Sequence, residues 1–302
     1  MWFKNLRVYK LAAVNPFTAM TEDEVKSELF LHSFKGCDPM QLSSTGWTLP
    51  TDNENTIALY RQNAILLALR TDEKVLPASA VKAALADKVA SIEKAEARKV
   101  SSKERKLIKD QVTDEMLPKA FVKSRIDNVL IDLENNLVIV NTASASNAER
   151  VLSFLRETMG NLPTKLVNTV ASPIDAMTSW LEIDAPDGWS VGQDAEMKAP
   201  GDEGTTAKFK RQVLDCDEIF NHLAAGKVVT KLEMNFGDRL SFNLCEDFGI
   251  KSLKMLDVVK DEVKDMDAED QDALFESQLA LMIGELRGFI PALIEALGGE
   301  QK

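Results

Sequence analysis

The residues able to do chemistry are few. Only two histidines, His32 and His222, occur in 302 residues. A hydrolase that uses a histidine base needs one of them beside a Ser or Cys nucleophile. His222 is followed by Leu223 on a short helical stretch and reads as a structural or surface residue. The three cysteines, Cys37, Cys216 and Cys245, are odd in number, lie far apart and form no CxxC pair. They read as reduced thiols. The nucleophile, zinc, phosphate-loop and dinucleotide signatures HExxH, GxSxG, GxxxxGK[ST] and GxGxxG are all missing. No catalytic residue, cofactor or resident metal is therefore expected. One enzymatic reading stays open, because 48 acids can assemble a Mg²⁺ site in space without leaving a spacing in the sequence.

Charge is the more informative feature. The net charge of −12 argues against nucleic acid, whose phosphates need Lys and Arg. Charges further apart than about 8–10 Å are screened at cellular salt, so distribution matters more than the total. Nine acids against two lysines fall between Asp257 and Glu276, as a solvated helix start, or as DNA mimicry or a charged partner site. Basic residues gather in two interior stretches. The first is Arg98–Arg125, in whose part up to Lys109 Arg98, Lys99, Lys103, Arg105, Lys106 and Lys109 face a single acid, Glu104. In 208–231, Lys208, Lys210, Arg211, Lys227 and Lys231 fall on predicted strands. Residues at even spacing share a strand face, so Lys208 aligns with Lys210 and Lys227 with Lys231. Ammonium groups on a rigid sheet would contact phosphate without selecting sequence.

The elements that must position these groups suggest an α+β fold. Residues 2–12 read as a strand, and Thr21-Glu22-Asp23-Glu24 is a capping box opening a helix over 22–34. Residues 40–60 read as loops with short strands around Trp47 and Leu59, and the apolar run 64–69 as a buried strand. From 78 to 125 the chain is Ala/Lys/Glu/Arg-rich and helical, split by a second capping box, Ser101-Ser102-Lys103-Glu104. Its apolar residues are few and small, so this helical pair should project from the body. Val129–Leu133 and Leu137–Val140 form a hairpin, and Ser146 caps a helix that ends at Gly160. Pro163 and Pro173 mark a connecting region, and 185–205 reads as loop. Then come a strand over 207–214, a helix capped at 215–218 and ending at Gly226, two strands over 227–234 and 239–244, and a helix over 268–297 stopped by Gly298-Gly299.

Length and composition fit two or three compact units with real cores. No run of about 18 apolar residues is present, so no membrane span is expected. The start is charged within its first four residues and lacks a long apolar block, so no signal peptide and a cytoplasmic location are expected.

Five blocks run in the same order as in a known family. They are Trp2-Phe3-Lys4-Asn5-Leu6 with Val8-Tyr9, Lys74-Val75-Leu76-Pro77, Leu117-Pro118-Lys119-Ala120-Phe121, Asn221-His222-Leu223-Ala224-Ala225-Gly226-Lys227-Val228-Val229-Thr230-Lys231-Leu232, and Gly284-Glu285-Leu286 with Leu297-Gly298-Gly299-Glu300. Together they closely resemble the RdgC family, the recombination-associated nucleoid proteins of proteobacteria. The resemblance implies a non-enzymatic protein of the cytoplasm and nucleoid. Such proteins bind duplex DNA well and single strands more weakly, with little sequence preference, and restrain RecA-promoted strand exchange. It further implies a homodimeric ring of two horseshoe-shaped subunits of mixed or antiparallel sheets, with DNA in a basic central hole.

The implied division is a centre domain of residues 1–76 and 126–168, a projecting tip of 77–125 and a base of 169–302. Phe121, with Leu117 in the same block, would form the gate between two tips. Lys210, Arg211, Gln212, Lys227 and Lys231 fall where DNA-contacting side chains are expected, beside Lys208 and the tip residues Arg98 and Lys99. A ring that is acidic outside and basic inside reconciles the net charge with DNA binding. Self-complementary contacts would close it. Two rivals remain: a Mg²⁺-dependent nuclease, and a protein-only regulator of the recombinase acting through the acidic C-terminal half.

Overall fold

Two neighbouring strands that each carry an unbroken apolar run, 64–69 and 129–131, set the middle of the molecule. In the computed structural model, which describes residues 2–51, 55–201, 204–264 and 271–301, they lie at the heart of a large antiparallel sheet. The chain runs through β1 (Arg7–Leu11), α1 (Pro16–Ala19), α2 (Glu22–Leu31), β2 (Ser43–Thr48), β3 (Leu59–Arg61) and β4 (Ala64–Val75). It continues as α3 (Ala78–Glu96), α4 (Ser102–Met116), a 3-10 turn at Leu117–Lys119, β5 (Phe121–Asp132), β6 (Leu137–Val140) and α5 (Ala145–Met159). The second half holds β7 (Thr164–Leu166), α6 (Pro173–Glu182), β8 (Trp189–Lys198), β9 (Thr206–Phe209) and α7 (Asp217–Ala224). It ends with β10 (Val228–Phe236), β11 (Leu240–Cys245), β12 (Ile250–Met255), α8 (Asp257–Lys264) and α9 (Gln271–Ala296). This is a mixed α+β fold.

The described strands form two sheets, β2-β4-β5-β6-β1-β7 with β3 added to β4, and β12-β11-β10-β8-β9. The unbroken apolar runs arise because both faces of the larger sheet are covered. Leu66, Leu130 and Ile139 point to one core, while Ile65, Leu67, Val129, Ile131 and Val138 point to another under α2 and α5. The first core is shared with the inner face of the smaller sheet and with α6 and α9, through Met177, Leu232, Phe242 and Phe289. Trp189, Phe236, Phe242 and Phe289 stack there with centroids 4.7–6.1 Å apart. Arg287 on α9 ties this core to the larger sheet by donating to the buried Asp132 carboxylate at 2.8 Å.

The chain start stitches the sheets together. Leu6 and Ile250 exchange backbone hydrogen bonds at 2.8 and 3.1 Å, and the Leu253 amide donates to the Lys4 carbonyl at 2.8 Å, before the same strand enters the larger sheet as β1. At the crossing Arg7, nearly buried, donates to Asp247 at 2.6 Å and to the Ala143 carbonyl at 3.1 Å. Gly249 leaves room for it, since a Cβ there would lie 2.8 Å from the guanidinium carbon.

Several expectations need correction. The helical stretch ends at Met116, not 125, because Pro118 stops it and Phe121-Val122 starts a strand paired over its whole length with β4 (Phe121 with Val75, Asp132 with Ala64). β4 correspondingly runs on past residue 69 to Val75. Residues 185–205 contain a ten-residue strand, β8, whose inward Ala195 and Met197 alternate with outward polar residues. The strand expected over 207–214 ends at Phe209, because Arg211 takes a left-handed backbone (φ 55°). The connecting region contains α6, with Ser172 as N-cap and Pro173 in its first turn. The cap of α5 is Ser144, two residues before the one expected. β12 was not anticipated. The 265–270 part of the acidic stretch, and with it the expected start of the last helix, lies outside the described residues. Among the described residues no helix is long and apolar enough to cross a membrane.

Candidate nucleic-acid interface

The smaller sheet buries one face and presents the other. Along β10, Val229, Leu232 and Met234 point into the core, and Lys231, Glu233 and Asn235 point away from it. A bulge between Val229 and Lys231 resets the alternation, so the two-residue spacing from Lys227 no longer assigns a face. Pairing does assign one. Lys208 on β9 and Lys231 on β10 are both register partners of Glu196 on β8, and Lys231 is also opposite Cys245 on β11. One rung thus carries two lysines flanking a glutamate, with Lys208 bonded to Glu196 at 3.0 Å. The next rungs put Asn243 opposite Glu233 and Lys251. Glu233 lies over Gly192, where an added Cβ would approach its Cγ to 2.5 Å, and accepts from the Gln193 amide at 2.8 Å.

Beneath the lysines this outer face is polar but dry. Ser241, Asn243 and Cys245 are buried by their neighbours, and the Asn243 side-chain oxygen has no partner among the described residues. Burial pushes the Cys245 thiol above its ordinary range. Lys231 and Lys251 make no ion pair with any described carboxylate. The arrangement can hold anionic oxygen at ammonium groups on a stiff platform, which suits phosphate and not base edges.

The other expected side chains sit at the margin of this face. Lys210 is exposed just past the end of β9. Arg211 is exposed, its amide donating to Asp194 at 3.0 Å, and the Gln212 amide donates to the Gln193 carbonyl at 3.3 Å. Lys227 is half-buried in the turn before β10, its amide donating to the His222 carbonyl at 3.2 Å. Lys251 escaped the sequence reading because β12 did. Its signal was the pair Ile250 and Leu253, buried, with lysines beside each.

The tip is built differently. α3 and α4 meet over Leu85, Val89, Ile108 and Val112, a core of four buried residues. Arg98, at the turn between them, is fully engaged: Glu104 grips it through two bonds of 2.7 Å and Glu96 through one of 2.6 Å. Hydrogen bonds to Glu104 first, then Glu96, raise its pKa further above the ordinary guanidinium value. Lys99 beside it is exposed. Phe121 opens β5 at 86% exposure, opposite Val75 and next to Val122, both also exposed. Leu117 is 4% exposed, so its side chain is used within the subunit, under the turn that leads to Phe121.

Among the described residues neither histidine hydrogen-bonds a Ser, Thr or Cys side chain. His32 Nδ1 lies 3.1 Å from the Glu28 carbonyl, and His222 packs on Phe209. Among the described residues no group of three or more His, Cys, Asp or Glu side chains is arranged to hold a metal ion.

A family model described as "Putative exonuclease, RdgC" matches residues 1–300. The Recombination-associated protein RdgC of Herminiimonas arsenicoxydans is 38% identical over 303 residues, covering 100% of this chain and 99% of that protein. The protein of the same name from Proteus mirabilis is 37% identical over 302 residues, with 99% of each chain covered, and that from Enterobacter sp. is 36% identical over 303. With the match running end to end, the chain belongs to the RdgC family.

Proposed function

We propose that this protein binds duplex DNA with little regard for sequence, as a ring-shaped homodimer with the duplex in a basic central hole, and that it performs no chemistry on it. In this reading it acts at the nucleoid in the cytoplasm, and single strands bind more weakly. By occupying duplex it limits RecA-promoted recombination, a role in keeping with the "recombination-associated" name of its relatives. The observation that carries the reading is the rung of Lys208 and Lys231 with Lys251 nearby, on the outer face of a sheet whose other face is core. Exposed Phe121 and Val75, register partners on one face at the end of the β4–β5 arm, supply an apolar pair suited to the matching pair of a second copy.

The test is a salt titration of binding to linear and closed circular duplex, with molecular mass measured alongside. Each phosphate neutralised contributes about −0.9 to the slope of log K against log salt. Lys231→Glu with Lys251→Glu should shrink the slope by about 2 and weaken binding to all sequences alike. A folded double variant with unchanged affinity would count against the assignment.

The description of the family model favours one alternative, an exonuclease, which here would be metal-dependent. Linear DNA incubated with Mg²⁺ or Mn²⁺ separates the two. Degradation that persists through purification and vanishes in a carboxylate variant would replace the binding reading.

A further inference from the structure

A groove of about 570 Å³ opens between β12 and the chain start. Its floor is apolar, made by Trp2, Leu253 and Met255. Its rim carries Lys4, Lys254 and Lys260, and no carboxylate of the described residues lines it. Lys260 is held by Asp257 at 2.8 Å, whereas Lys4 and Lys254 are exposed and make no ion pair among the described residues. The indole Nε1–H of Trp2 is buried and lacks an acceptor.

We propose that this groove docks an acidic peptide segment of a partner protein, with a large apolar side chain on the Trp2–Met255 floor and carboxylates at Lys4 and Lys254. Charge and shape favour a peptide over DNA. A phosphodiester placed on an apolar floor loses hydration without compensation. A peptide whose apolar anchor is flanked by carboxylates satisfies floor and rim together. In a chain of net charge −12, a lysine-rimmed groove is also where an acidic partner meets attraction and not repulsion.

The probe is a fluorescein-labelled peptide, Asp-Asp-Glu-Leu-Phe, titrated with the full-length protein and followed by anisotropy, with Trp fluorescence as a second readout. Saturable binding is expected. Lys4→Glu should weaken it by about tenfold or more and Lys4→Arg should restore it, while duplex affinity stays that of the unaltered protein. Trp2→Ala removes much of the apolar floor and should weaken the peptide severalfold. Absence of saturable binding up to about 1 mM protein, or a folded Lys4→Glu variant with unaltered affinity, overturns the proposal. So does displacement of the peptide by oligo(dT) together with loss of oligo(dT) binding in Lys4→Glu, which would assign the groove to single-stranded DNA.

Discussion

The tip and the base both carry basic residues, and they use them in different ways. In the tip, two helices share four buried side chains, Arg98 is spent on Glu96 and Glu104, and the exposed Lys99 and Lys103 stand on that thin core without an ion pair among the described residues. In the base, Lys231 and Lys251 stand on a sheet whose reverse face is continuous with the largest core of the molecule. A cation tied to a neighbouring acid on a thinly cored helical pair stabilises its own turn. A cation left unpaired on a stiff sheet is available to a ligand. Density of basic residues along the chain therefore says less about binding than what lies behind and beside each one.

Substitutions can break this comparison, beginning with the core that the tip lacks. Phe289→Ala removes an aromatic ring at the centre of the shared core and should cost about 3–5 kcal/mol in denaturant unfolding, moving both sheets together. A loss confined to the base would show that the sheets unfold separately. Arg287→Ala leaves the Asp132 carboxylate, 3% exposed, without its main cation, and a loss of about 3 kcal/mol is expected at neutral pH. Leu85→Ala should cost about 2 kcal/mol. Its effect should be local: amide exchange should quicken over residues 78–116 and stay unchanged in β10 and β11. Uniform acceleration would mean the tip is not an independent unit.

The smallest effect concerns pH. Burial works to raise the Asp247 carboxyl, but the hydrogen bond and charge of Arg7 outweigh it and hold its pKa below the usual range. A depressed folded pKa stabilises above the unfolded value, about 4, and that stability is lost as pH falls through the folded pKa. Asp247→Asn should therefore cost under about 1 kcal/mol at pH 7, since Asp247 is half-exposed, and the gap to the unaltered protein should close below about pH 4. A gap that widens in acid would reverse the assignment.

Much of the fold was legible where a local signal coincided with the tertiary need. The runs at 64–69 and 129–140 read as buried strands because both faces are covered, and Ser101 and Gly160 bound helices where side-chain chemistry says they should. β8 was hidden because its apolar positions are spaced by Gly192 and Asp194, turn-like residues that here sit in a bulge against β10. α6 was hidden because Pro173 reads as a breaker until Ser172 is recognised as its cap. The candidate site was half legible. Lys208 and Lys231 stood out as basic strand residues, yet their common face depends on a bulge and a shared partner, Glu196, that no spacing reveals. Lys210 lost its expected alignment to the left-handed turn at Arg211.

In the proposed reading the base sheet, and not the basic tip, holds DNA. Salt-dependent affinity for one duplex, measured for Lys231→Glu/Lys251→Glu beside Lys99→Glu/Lys103→Glu, tests it most directly. The sheet pair should lose about two units of slope and most of the affinity, and the tip pair little of either. The opposite ranking, with both variants folded, would contradict the account.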